Sequence, residues 1–193
     1  MTTVLLTGFE PFGTATSNPS GEIVKQISGD NIVTAILPVA YAGSAERLLE
    51  LIAEHNPDVV ICLGQAEGRT HITPEKVAIN LDDARLADNE GVLRNDVKIL
   101  EDGPDAYFTT LPINKMVEAI KAKGVPAAVS LSAGAFLCNH VFYVAQNKFV
   151  GTKVRSGFVH VPLMDSQAPE FPGLPTMPLD QMVTAVRAML EVL

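Results

Sequence analysis

Short apolar runs alternate with amphipathic ones from one end of the chain to the other. Val4, Leu5, Leu6 and Thr7 form a compact run ending at Gly8, which predicts a buried strand. Asn18 followed by Pro19 predicts a helix start, with Asn as N-cap and Pro in the first turn. Residues 31–39 read as a second strand. Residues 44–55 read as a helix whose apolar face carries Leu48, Leu49, Leu51 and Ile52. Residues 58–63 read as another buried strand, closed by Gly64. The stretch 65–106 is less regular, with one strand expected over 72–81 between loops rich in Gly, Asp and Asn. Ile113, Met116, Val117 and Ile120 recur at helical spacing and predict a helix over 111–123. A strand over 127–131, a helix over 136–149 and a strand over 155–161 follow. Residues 176–178 lead into a last helix with Met182, Val183, Val186 and Leu190 on one face.

Strands alternating with helices imply right-handed crossovers and a mainly parallel sheet covered on both faces. In such folds ligands bind beyond the carboxyl ends of the strands. Four segments lie there: 8–18, 64–69, 132–140 and the residues around His160.

Composition narrows the class. A length of 193 residues suits one sizeable domain, long enough to bury a core without disulfides or a structural metal. An apolar fraction of 47% against 19% charged residues describes an ordinary globular protein. The formal net charge of -8 argues against general affinity for nucleic acid or an anionic membrane. No stretch approaches the roughly 20 apolar residues of a membrane helix, and the N-terminal run lacks the flanks of a signal peptide. Cytoplasmic localisation is the expectation. The two cysteines, Cys62 and Cys138, make no disulfide framework, and the four histidines show no zinc spacing. Neither phosphate-loop nor dinucleotide-binding glycines occur, so no cofactor and no metal are expected.

Cys138 is the first chemical candidate. It sits in SLSAGAFLCNHVFY, where a strand ends in a small-residue turn and a helix begins. A helix N-terminus favours the thiolate, and its free amides suit an oxyanion. A buried helix cysteine, packing as a small apolar residue, fits the same position. Cys62, inside VVICLG, reads as core. Of the histidines, His55 reads as a helix-end residue and His71 as a loop residue. His140 points away from Cys138 if both lie on one helix. His160 ends an apolar strand, where a satisfied core histidine and a catalytic base fit equally. Glu75 stands between apolar neighbours and by itself is unremarkable. Asp82, Asp83, Asp88 and Glu90 read as solvated loop acids. Phe9 and Phe12 bracket Pro11 after the first strand; they suit a flat, neutral ligand, and suit a cap on the core as well.

Taken together, five blocks resemble the pyroglutamyl-peptidase I (pyrrolidone-carboxylate peptidase) family. They are LLTGFEPFG at 5–13, CLGQAEGR at 62–69, ITPEKVAINLDDARLADNEG at 72–91, AGAFLCNHVFY at 133–143 and GFVHVP at 157–162. They run from end to end of the chain in the family's order. The resemblance implies a single α/β/α three-layer domain over 1–193 with a twisted, mainly parallel but mixed sheet. It implies a cysteine peptidase that removes an N-terminal pyroglutamyl residue from peptides through a thioester, without metal or cofactor. By matched motif, Cys138 is the implied nucleophile, His160 the base and Glu75 the orienting acid. Phe9 and Phe12 are the implied walls of the pyroglutamate pocket, with Gln65 beside it. A homo-oligomer, dimer or tetramer, is also implied. Glu67 departs from the family's usual glycine and adds a charge near the pocket entrance. Ala135 and Leu137 replace residues often seen as Thr or Ser and Val, and the segment 147–154 is shorter than in many relatives. A different cysteine acyl hydrolase and a non-catalytic binding protein on the same fold are the alternative readings.

Overall fold

The computed structural model describes residues 2–193. Its central sheet is built from β1 (Val4–Phe9), β2 (Ile32–Leu37), β3 (Val59–Gln65), β4 (Thr73–Pro74) and β7 (Arg155–Val161). The strand order is β2-β1-β3-β7-β4. The first four are mutually parallel and β4 runs antiparallel to β7. Side chains alternate along each strand. Leu6, Ile61 and Val159 face one core with α1 (Pro19–Val24), α3 (Ile113–Ala122) and α5 (Leu179–Leu190). Leu5, Val60, Cys62 and Phe158 face the other with α2 (Tyr41–His55) and α4 (Leu137–Lys148). That is the three-layer α/β/α arrangement with a mixed, mainly parallel sheet. Strands β1 and β3 are buried along their whole length, which is why they read as continuous apolar runs. Two minor ribbons complete the chain, β5 (Val77–Ile79) with β6 (Ala106–Phe108) and β8 (Leu163–Met164) with β9 (Thr176–Met177).

Three expectations are corrected here. The strand expected over 72–81 is divided into β4 and β5, because the chain parts from β7 after Glu75, whose amide still donates to the Phe158 carbonyl at 2.9 Å, and then pairs with β6. The segment 127–131 makes only isolated bridges, Ile72 to Ala127 and Glu75 to Ser130. Its amides at Ala128 and Ser130 donate to the carbonyls of Ile72 and Pro74, so the spacing is that of a parallel ladder. Pro74 has no N–H to supply the rung between them, and the ladder is interrupted there. Finally, Asp82 and Asp88 are buried rather than solvated. Asp82 binds Arg94 and His140 at 2.7 and 2.9 Å. The Asp88 carboxylate accepts from the amides of Tyr41, Glu90 and Val92. Both ionic side chains staple the irregular 82–97 segment to the domain. Asp83 and Glu90 are exposed as expected.

Helix ends follow the local chemistry. Asn18 caps α1 through a 3.0 Å bond from the Ser20 amide, with Pro19 in the first turn. Helix α2 starts three residues earlier than its apolar stripe suggests, at Tyr41.

Candidate active site

The carboxyl ends of β1, β3 and β7 and the N-terminus of α4 meet at one edge of the molecule, as the parallel-sheet rule requires. Strand β7 contributes His160, and β3 contributes Gly64, its direct neighbour in the ladder. Both face the α2/α4 layer. A β-carbon at position 64 would stand 2.8 Å from the Cys138 sulfur and 2.6 Å from the Phe158 ring. Only glycine lets the sulfur settle against the sheet beside the histidine. The ring of Phe158 lies against that of His160, centroids 4.8 Å apart.

His160 and Glu75 are both buried, and Nδ1 of the imidazole bonds Glu75 Oε1 at 2.7 Å. That contact directs Nε2 away from the acid as the nitrogen free for chemistry. The same carboxylate oxygen forms an ion pair with Arg69, 2.8 Å from Nη1. Arg69 also donates to Thr73 Oγ1 and, through Nη2, to the Ser132 carbonyl at 3.0 Å. The second oxygen, Oε2, is buried without a hydrogen-bond partner.

Cys138 is half-buried in the first turn of α4. Phe136, at the cap position, offers no side-chain cap, and the first main-chain bond at this end runs from the His140 amide to the Phe136 carbonyl. The preceding amides of Leu137, Cys138 and Asn139 thus have no partner within the helix. They are oriented donors beside a sulfur. Asn139 and His140 fix this end in place. Asn139 bonds both main-chain groups of Ile79 and the Leu81 carbonyl, each at 2.9 Å, and His140 bonds Asp82. His140 therefore turns away from Cys138, as its spacing predicts.

Burial pushes the Cys138 thiol up to about 12, and the Glu75 carboxylate adds to the rise; Arg69 and the residue's own amide oppose it. Burial also lowers His160 below its ordinary 6.5, against the pull of Glu75 and with a smaller push from Arg69. Burial thus works against the charged forms of both groups, while the helix N-terminus favours the thiolate. The sulfur is desolvated because it sits against the sheet over Gly64.

In front of the sulfur lies a cavity of about 330 Å³, its open mouth included, lined by Phe9, Phe12, Asn18, Val39, Gln65, Phe136, Leu137 and Cys138. The six residues that the resemblance implies for the site therefore converge here: Phe9, Phe12, Gln65 and Cys138 on the cavity, His160 and Glu75 beside it. Phe9 is a buried wall; Phe12 is partly open and faces Phe136, ring centroids 6.3 Å apart. Gln65 is held by Gln167, whose Nε2 donates to Gln65 Oε1 at 2.9 Å, and Gln65 Nε2 is a buried donor with no partner. The GFEPFG loop is pinned by Glu10, whose carboxylate accepts from the Val39 amide and from Asn89. Asn18 was expected only as a helix cap, and Val39, Phe136 and Arg69 were not expected at the site. For Phe136 a signal existed, an aromatic two residues before the candidate nucleophile; for Arg69 it was the polarity of a loop just beyond a buried strand. Glu67 is exposed and takes no left-handed conformation; Gly68 supplies that, with φ 79°. Among the described residues, no group of three or more His, Cys, Asp or Glu is arranged to hold a metal ion, and no helix is long and apolar enough to cross a membrane.

Known proteins share this arrangement of chain. The sequence profile of the family described as pyroglutamyl peptidase matches residues 2–193. A pyrrolidone-carboxylate peptidase of Bacillus thuringiensis is 44% identical over 199 residues, covering 100% of this chain and 93% of that protein. One from Aliivibrio fischeri is 48% identical over 186 residues, covering 94% and 87%. The crystal structure of Bacillus amyloliquefaciens pyroglutamyl peptidase I superimposes with a TM-score of 0.94 at 43% identity, over 98% of this chain and 95% of that one. A mutant pyrrolidone carboxyl peptidase from Pyrococcus furiosus gives 0.93 at 37% identity, over 98% and 97%. The family match spans the described chain, and the chain belongs to the pyroglutamyl peptidase family.

Proposed function

We infer that this protein is a cysteine peptidase that removes an N-terminal pyroglutamyl residue from peptides, with Cys138 as nucleophile, His160 as base and Glu75 as orienting acid. The observation that carries the reading is the Glu75–His160 bond of 2.7 Å beside a sulfur that faces a small aromatic cavity. As Sγ attacks the carbonyl of the pyroglutamyl amide, its proton passes to His160 Nε2, and Glu75 steadies the imidazolium that forms. The amides opening α4 receive the oxyanion. His160 then gives the proton to the departing amine, leaving a thioester on Cys138. Water, deprotonated by His160, hydrolyses the thioester and regenerates the thiol. The whole chain works as one domain in this scheme.

The cavity favours the substrate's shape and neutrality. A pyroglutamyl ring is flat, uncharged and partly apolar, which suits the faces of Phe9 and Phe12. Gln65 Nε2, a buried donor with no protein partner, suits the lactam carbonyl. A free N-terminal Glu or Gln would bring an ammonium between aromatic walls with no carboxylate on the cavity lining. Release of fluorophore from pyroglutamyl, prolyl and glutaminyl amides tests this directly. Turnover of the first alone is expected; comparable turnover of all three would favour a broad acyl hydrolase. Cytoplasmic localisation and assembly into a homo-oligomer complete the proposal; the well-exposed Phe108 and Leu131 are apolar side chains a second copy would cover.

A further inference from the structure

We propose that Arg69 is a fourth, positioning member of the catalytic array, which holds Glu75 through the oxygen that His160 uses and ties it to the loop leading to Cys138. This rests on the peptidase reading above. Three groups meet on the guanidinium. Glu75 Oε1 lies 2.8 Å from Nη1, the Ser132 carbonyl 3.0 Å from Nη2, and Thr73 Oγ1 accepts a further bond. Thr73 in turn donates to the His160 carbonyl at 3.4 Å. One planar side chain thereby joins the acid, the main chain of the histidine strand and the turn before α4. Ser132 belongs to that turn: its hydroxyl accepts from the Gly134 amide, and its own amide donates to Ser130 Oγ.

The rigid fork of an arginine can hold two acceptors on separate segments at once; a lysine can serve the charge but not the fork. The geometry also has an electrostatic consequence. The ionisable groups facing His160 are Glu75 beyond β4, Arg69 on the loop after β3, Cys138 on α4, and Cys62 two residues before Gly64 on the same face of β3. Glu75 stabilises the imidazolium, and Arg69, fixed on the same oxygen, offsets that pull. His160 is accordingly kept neutral and available as a base at lower pH than the Glu75 contact alone would allow. Removing the guanidinium raises the histidine's affinity for its proton. Activity that needs a neutral imidazole is then lost from a higher pH downward.

The test compares wild type with Arg69→Gln, Arg69→Met and Arg69→Lys in two readouts. The first is an NMR titration of the four histidines, with His160→Gln identifying the resonance of interest. The second is kcat/KM against pH on a pyroglutamyl amide. In both neutral variants the His160 midpoint and the acid limb of kcat/KM are expected to rise together by about one pH unit. Their kcat on the neutral plateau is expected to fall about tenfold or more as Glu75 and the Ser132 turn lose their shared tether. Arg69→Lys is expected to keep the wild-type midpoint while losing part of kcat. An unmoved His160 midpoint in the neutral variants overturns the proposal. Failure of both neutral variants to fold overturns it as well, since Arg69 would then be a residue of the fold alone. The titration needs no turnover, so an inactive wild type would count against the peptidase reading and leave Arg69 to be judged by NMR.

Discussion

Cys138→Ala is expected to lower kcat on a pyroglutamyl amide by on the order of 10⁵-fold or more, with the fold intact. The substitution removes the only sulfur on the cavity wall; Cys62 lies wholly inside the sheet. It leaves the oriented amides of α4, the aromatic walls and the Glu75–His160 pair untouched, so binding survives and the covalent step does not. The stability change should be small, about 1 kcal/mol or less, because one neutral, half-buried thiol gives way to a methyl group. If Cys138 were only a packing residue, the order would reverse: a modest loss of stability and an unchanged rate. Cys62→Ala is the control, expected to lose stability through its buried void while retaining turnover. Kinetics and thermal unfolding on the three proteins separate the two roles.

Glu75→Gln is expected to lower kcat on the order of 10³-fold and to destabilise the protein by about 3 kcal/mol. The carboxylate accepts from Nδ1 and so keeps the Nε2 lone pair available. A glutamine amide can present N–H to Nδ1 instead, which moves the ring proton to Nε2 and removes the base. It also withdraws the negative charge that answers Arg69, whose side chain is only 25% exposed. The stability loss follows from that uncompensated guanidinium, the rate loss from the imidazole. A Glu75→Gln enzyme with near wild-type kcat and a wild-type melting temperature would show that the acid neither orients the histidine nor carries the ion pair.

Much of this site was legible in the chain because strands and motifs coincide. Strands β1 and β3 are continuous apolar runs, and they and β7 end at the active edge, which marks the segments just after them as the candidate site. Cys138, His160 and Glu75 were each ambiguous alone; the family resemblance gathered them, and the folded chain places them side by side. What stayed illegible depends on contacts remote in sequence. Nothing near Asp82 announces that it will be buried between Arg94 and His140, because its partners arrive 12 and 58 residues later. Arg69 gains its role only when Glu75 turns inward after Pro74 and the Ser132 turn arrives from another segment. The desolvation of the thiol was hidden for a related reason. A helix N-terminus can be read from sequence, but the packing of the sulfur over Gly64, which desolvates it, cannot. The interrupted ladder at 127–131 turns on a single missing N–H, that of Pro74, whose effect is visible only once its partner strand is known.

The central claim is that the pyroglutamyl group passes through a thioester on Cys138. Rapid acid quench of the enzyme mixed with a pyroglutamyl ester or amide, followed by proteolysis and mass mapping, tests it most directly. The expected result is one added pyroglutamyl group on the peptide containing Cys138, absent in Cys138→Ala and dispersed by hydroxylamine. Full turnover with no adduct on that peptide, or an adduct elsewhere in the chain, would contradict it.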